Sequence, residues 1–194
     1  MHSLDEVNRA LSRGEYFWVD IARDGIALYE LPCHTLAASK PLTSADAHRM
    51  AREYFDRWLP SVDAFTRGAG YAQRDGDLNK AAFDFHQAAE RLYICFLLVR
   101  TLYFPRSHNI KFLRSLAEDK EPRLVGAWPR ATRQDRARFE RLKRAYVEAR
   151  YSPQFTITPE ELDWIGERIV ALQDLVRTIC QEQLAALATS AAIS

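Results

Sequence analysis

From Thr158 onward the chain reads ITPEELDWIGERIVALQDLVRTIC, and no other stretch limits the fold as tightly. Thr158 is a natural N-cap, Pro159 takes the first helical position, where no backbone N–H is needed, and Glu161 closes a capping box. Ile165, Ile169, Leu172, Val176 and Ile179 then recur at helical spacing. One short neighbouring helix cannot cover so long an apolar stripe. The economical expectation is a helical bundle that pairs with a second copy through its long C-terminal helices.

The middle of the chain supports the same architecture. Thr43 with Asp46 opens a helix through Val62 or beyond, a long helix runs from about Leu78 to Tyr103, and Phe104-Pro105 stops it. A shorter helix starts near Ser107, and another spans about Arg133 to Arg150 after the breaks at Pro122 and Pro129. The segment GAGYAQRDGD, residues 68–77, reads as a loop in which Asp75-Gly76-Asp77 forms a turn and a helix cap. From Ala185 the residues are small, and 189–194 are expected to fray.

The first 42 residues look different. A short amphipathic helix over 4–12 ends at Gly14. The runs YFWVDI (16–21) and GIALYE (25–30), rich in aromatic and β-branched residues and joined near Asp24-Gly25, predict a β-hairpin. An isolated hairpin is marginal in water, so it must lean on helices or on another chain. Residues 31–42, with Pro32 and Pro41, read as a connector. The expectation is therefore an all-α antiparallel bundle over 43–188, with a helix-plus-hairpin appendage over 1–42.

Composition removes several function classes. A formal net charge of +1 gives no global attraction to nucleic acid or membrane, although Arg130 to Arg150 is locally basic, with eight Lys/Arg against three Asp/Glu. No apolar run reaches the roughly 20 residues of a membrane span, and MHSLDEVNRAL lacks a signal-peptide pattern. Three dispersed cysteines, Cys33, Cys95 and Cys180, fit a reducing cytoplasm and exclude a disulfide framework or a Cys-x-x-Cys zinc site.

The candidate chemistry lies in AAFDFHQAAERLY, residues 81–93, where His86, Gln87, Glu90 and Arg91 interrupt a core-like helix. His86 and Glu90 are one turn apart, close enough to touch. Three readings stay open here: a buried pair that specifies packing, a ligand-facing cluster, or a metal site, which would need further ligands that no local spacing marks. His108 follows Pro105 at a helix start, where unpaired N–H groups favour anions, and Arg106 and Lys111 stand near it. Arg150 and Tyr151 end the next helix, where a guanidinium beside an aromatic ring suits either the helix dipole or a bound phosphate.

Three stretches, NKAAFDFHQAAERLY, LYFPRSHNIKFL and LKRAYVEARYSPQFTITPEEL, together resemble the HEPN domain family over residues 45 to 185. They resemble most the branch in which this domain follows a minimal nucleotidyltransferase domain. Residues 4 to 30 look like the tail of such a domain, as if the chain began inside a larger protein. The resemblance implies an antiparallel bundle, usually dimeric, associated with nucleotides or RNA. Many members are metal-independent ribonucleases carrying Arg, four to six residues, then His. None of the five histidines here has that arginine, and no Gly-Ser turn with paired carboxylates marks a nucleotidyltransferase centre.

The sequence thus points to a non-catalytic dimeric module that needs no cofactor or metal. It is expected to bind a nucleotide or phosphate through His86, Glu90, His108, Lys111, Arg150 and Tyr151, with a nucleotidyltransferase as a further partner. The alternative is a metal-independent, toxin-like ribonuclease with a divergent site built on His108 with Arg106 or Arg150.

Overall fold

The computed structural model describes residues 2–14, 16–29, 31–32, 34–38 and 42–193. Glu30 of the expected second strand, Cys33, and Pro41 of the connector lie outside them. Among the described residues seven α-helices follow in order: α1 (Leu4–Ser12), α2 (Tyr16–Asp24), α3 (Ser44–Arg74), α4 (Leu78–Thr101), α5 (Ile110–Lys120), α6 (Arg133–Tyr151) and α7 (Pro159–Ile193), with a 3₁₀ turn over Pro122–Ala127. Among the described residues none forms a strand, and no helix is long and apolar enough to cross a membrane.

Helix α4 is the axis of the bundle, with α3, α5, α6 and α7 packed around it. It buries sixteen of its residues, among them Phe85, Leu92, Tyr93, Phe96 and Leu97. A helix apolar on nearly all sides belongs at the centre of a bundle. Asp77 caps its start by accepting from the Lys80 N–H at 3.1 Å. Gly76, at φ +80°, makes the turn before it. The Asp75-Gly76-Asp77 turn is thus as expected.

The start of α7 also follows the sequence: the Thr158 N–H donates to Glu161 Oε2 at 3.1 Å, and the Glu161 N–H donates to Thr158 Oγ1 at 3.3 Å. Its apolar stripe, however, is covered within the chain. Ile165, Ile169, Leu172 and Val176 are wholly buried, and α3, α4 and the 3₁₀ turn cover α7. The stripe is long because three elements share it, so its length no longer argues for a partner. The helix continues through the small residues to Ile193.

Two local expectations are overturned. The first is the β-hairpin: residues 16–24 are helical and 25–29 carry no regular structure. Phe17, Trp18 and Ile21 also stand at helical spacing, and Phe17 stacks on Tyr103 with ring centroids 5.3 Å apart. Gly25 ends the helix instead of turning a hairpin. Its N–H donates to the Ile21 carbonyl at 2.8 Å, and a Cβ there would lie 2.3 Å from that oxygen. A helix satisfies its own backbone, whereas a lone hairpin leaves two edges bare.

The second is the 68–77 loop, because α3 runs to Arg74. Gly68 serves close packing: a Cβ there would meet Asp84 Oδ2 of α4 at 2.9 Å. Ala69 and Ala72 are buried on the same helix. Small residues here let two helices approach and do not mark a turn.

Candidate functional site

Three elements converge on one side of the bundle. Helix α4 supplies Phe83, His86, Gln87 and Glu90, the segment before α5 supplies His108, and α6 supplies Tyr146 and Arg150. His108 Nδ1 lies 3.0 Å and 3.1 Å from the two oxygens of Glu90. An ionised carboxylate only accepts, so Nδ1 carries the proton and Nε2 is left as the open ring nitrogen. Gln87 Nε2 donates to the same carboxylate at 3.3 Å, and His86 Nδ1 lies 3.8 Å from it.

The burial of these groups is graded. The His86 side chain is wholly enclosed, that of Glu90 is 8 % exposed and that of His108 is 59 % exposed. The cluster therefore leads from the interior to the surface. His86 Nε2 is buried without a hydrogen-bond partner. Burial, with the Arg150 guanidinium nearby, pushes the His86 imidazole down to about 4. It is neutral at physiological pH. Burial raises the Glu90 carboxyl above its ordinary value, and the bond from His108 opposes the shift without reversing it.

Tyr146 is the platform beneath the exposed groups. The His108 ring stacks on it at 4.4 Å between centroids, inclined by 17°. The Arg150 guanidinium lies 4.6 Å from the Tyr146 centroid, 4.8 Å from that of Phe83 and 5.0 Å from that of Tyr151. Arg150 Nε donates to the Tyr146 carbonyl at 2.8 Å, one helical turn back. Among the described residues no carboxylate pairs with Arg150. The exposed guanidinium thus sits on aromatic rings with no carboxylate claiming it, which suits the oxygens of a phosphate.

Of the six residues expected from the sequence, five meet here. His86, Glu90, His108 and Arg150 form the cluster, and Tyr151, largely exposed, borders it through Arg150. Lys111 does not join them. Its Nζ lies 3.8 Å from Glu140, and it lines a separate groove of about 390 Å³ with Arg114, Arg130 and Arg136. His108 precedes α5, whereas Lys111 is the second residue inside it, so no helical spacing ties the two side chains to one face. Arg106 likewise faces another hollow, beside Trp18, Tyr54 and Phe104.

Sequence reading missed Tyr146 and Phe83. The signal was present, since Tyr146 precedes Arg150 by four residues and Phe83 precedes His86 by three, so each shares a helix face with a named residue. Among the described residues no three His, Cys, Asp or Glu side chains gather as they would around a metal ion.

None of the curated proteins compared with the chain matches it. The profile of the HEPN domain matches residues 46–178, most of the bundle and every residue of the cluster. The chain belongs to the HEPN domain family.

Proposed function

We propose that the chain is a non-catalytic HEPN-type module that binds a nucleotide or another phosphate-bearing molecule at Glu90, His108, Tyr146 and Arg150. The observation that carries this reading is the seat of Arg150: an exposed guanidinium on Tyr146 and Phe83 with no carboxylate partner among the described residues, beside an exposed imidazole. The aromatic faces offer a nucleobase something to stack on, and the guanidinium offers its phosphates a bidentate contact. Calorimetric titration with nucleoside mono-, di- and triphosphates, and with pyrophosphate, tests it. Heat with the wild type that is lost in Arg150→Ala supports the reading, and no heat with any of them rejects it.

The accessory role beside a nucleotidyltransferase belongs to the same proposal and rests on sequence resemblance alone. The family match begins at residue 46, and the N-terminal segment forms helices where its aromatic and β-branched runs led to a hairpin. Co-purification with a nucleotidyltransferase encoded nearby tests this part separately.

One observation favours a second reading, a metal-independent ribonuclease. A buried carboxylate holding the Nδ1 side of an exposed imidazole is the arrangement of an oriented general base. Its open Nε2 would take the proton of an RNA 2′-hydroxyl as that oxygen attacks the adjacent phosphorus, leaving a 2′,3′-cyclic phosphate, and the departing 5′-oxygen takes a proton from water to become a hydroxyl. Incubating RNA with the protein in EDTA separates the two readings. Cleavage that disappears in His108→Ala establishes the enzyme, and intact RNA leaves the binding module.

A further inference from the structure

Two residues before His108, Arg106 lines a hollow of about 400 Å³ that shares no residue with the phosphate site. Its volume is within the usual range of a small-molecule cleft. Five aromatic side chains line it: Phe17 and Trp18 from α2, Tyr54 from α3, and Tyr103 and Phe104 from the segment after α4. Leu98, 5 % exposed, adds an apolar base. The rings are not all parallel. Phe17 stacks on Tyr103 with an inclination of 6°, while Trp18 stands at 76° to Phe17 with centroids 5.0 Å apart. Rings set nearly at right angles favour a further planar ring, which meets one by its face and the next by its edge.

The backbone is bent to build this wall. Among the described residues Leu102 alone has a positive φ without being glycine, at 56°, and its side chain lines the hollow. Glycine is the usual residue where a helix ends in this conformation, and leucine disfavours it. The turn takes the chain off the end of α4 and sets Tyr103 and Phe104 into the lining, with the Tyr103 N–H donating to Thr101 Oγ1 at 3.3 Å. Strain of this kind gathers at ligand-binding positions. Arg106 is exposed and pairs with no carboxylate among the described residues, and no acidic side chain is in the lining. His2 also lines the hollow. Its Nδ1 lies 3.8 Å from Glu6, a carboxylate already engaged by the Ser3 N–H at 2.9 Å.

We propose that this hollow is a second binding site, for a small planar aromatic acid whose ring system lies among Phe17, Trp18 and Tyr103 and whose single carboxylate pairs with Arg106. The aromatic lining and Leu98 take the ring out of water, and the exposed guanidinium meets the carboxylate with two parallel donors. The charge selects the guest. An aromatic cation, the usual occupant of an aromatic-lined pocket, is repelled by Arg106. A neutral ring forgoes the charged contact. A nucleoside phosphate carries further negative charge, for which the lining supplies no second guanidinium or ammonium. The site is independent of the reading given to Glu90, His108, Tyr146 and Arg150.

The test is calorimetric titration of the full chain with three aromatic acids, salicylate, indole-3-acetate and 2-naphthoate, and with 2-naphthamide, which keeps the rings and loses the charge. At least one acid should bind, and Arg106→Gln should weaken it by about tenfold or more. That substitution leaves the fold intact, because Arg106 is exposed and unpaired among the described residues. The naphthamide should bind wild type no better than 2-naphthoate binds Arg106→Gln. Phe17→Ala should weaken the acid from the ring side, with folding checked by circular dichroism. Arg150→Ala should lose nucleotide and keep the acid, which separates the two sites. No heat with any of the three acids at millimolar concentration overturns the proposal. So does binding indifferent to Arg106→Gln, binding lost in Arg150→Ala, or displacement of the acid by adenosine monophosphate.

Discussion

His108 Nδ1 lies 3.0 Å from Glu90 Oε1, which ties the segment after the core helix back to a carboxylate inside that helix. The bond fixes the imidazole through a group that is itself disfavoured as an anion, because burial raises the Glu90 carboxyl. In the folded chain Glu90 takes up its proton at higher pH than in the unfolded chain. Its favourable contribution is complete below the unfolded value and is lost as pH rises through the folded one. Glu90→Gln should therefore raise the melting temperature relative to wild type more at pH 7 than at pH 4. Thermal unfolding at the two pH values measures the difference.

His86 works in the opposite direction. Its folded value is lowered to about 4 from 6.5, so the unfolded chain takes up the proton first as pH falls. Stability from this residue is complete above about pH 6.5 and is lost down to about pH 4, on the order of 3 kcal/mol in all. Glu90 offsets part of that loss. His86→Leu should flatten the acid limb over this window while changing little at pH 8, where the ring is neutral in both states. Urea unfolding across pH 4 to 8 reads the slope.

Arg150 separates binding from folding. Its guanidinium is exposed and rests on rings, so Arg150→Ala should lower stability by less than about 1 kcal/mol. Loss of a charge-assisted contact should weaken nucleotide binding by roughly 10- to 100-fold. Arg150→Lys should restore only part of it, since an ammonium cannot offer two parallel donors. Calorimetry with all three proteins distinguishes a binding arginine from a dipole-capping one, for which lysine would serve equally well.

Gly68 tests the packing account. A methyl group there would sit 2.9 Å from the Oδ2 of Asp84, which is buried and held by Lys80 at 2.6 Å. Gly68→Ala should cost about 1–3 kcal/mol through the forced separation of α3 and α4, although alanine is the better helix former. Gly70 lies two positions on in the same helix, where a Cβ meets nothing closer than the end of the Arg74 side chain at 3.7 Å. Gly70→Ala should be neutral or stabilising, and chemical denaturation of both variants compares them.

These contrasts show what the sequence conveyed. Periodicity and capping located the five bundle helices because those signals are local: Thr158 and Pro159 act on residues within one turn. Glycine misled twice because its two uses leave the same trace. Gly25 ends a helix where a hairpin turn was expected, and Gly68 admits a neighbouring helix where a loop was expected. The site was legible in part. His86, Glu90, His108 and Arg150 lie together on one side of the bundle, while Lys111, inside α5 where His108 is not, lies beside Glu140 instead. Tyr146 joins His108 to Arg150, a relation between α6 and a loop nearly forty residues earlier that no local spacing encodes.

The most direct measurement is ¹⁵N imidazole spectroscopy of the five histidines during titration with a nucleoside triphosphate, with His108→Ala used to assign the signal. The account predicts that His108 Nε2 shifts on binding, that Nδ1 stays protonated against Glu90, and that His86 remains a neutral ring throughout. Nucleotide bound with His108 unmoved, or no change at any histidine or in the calorimeter at saturating nucleotide, would contradict it.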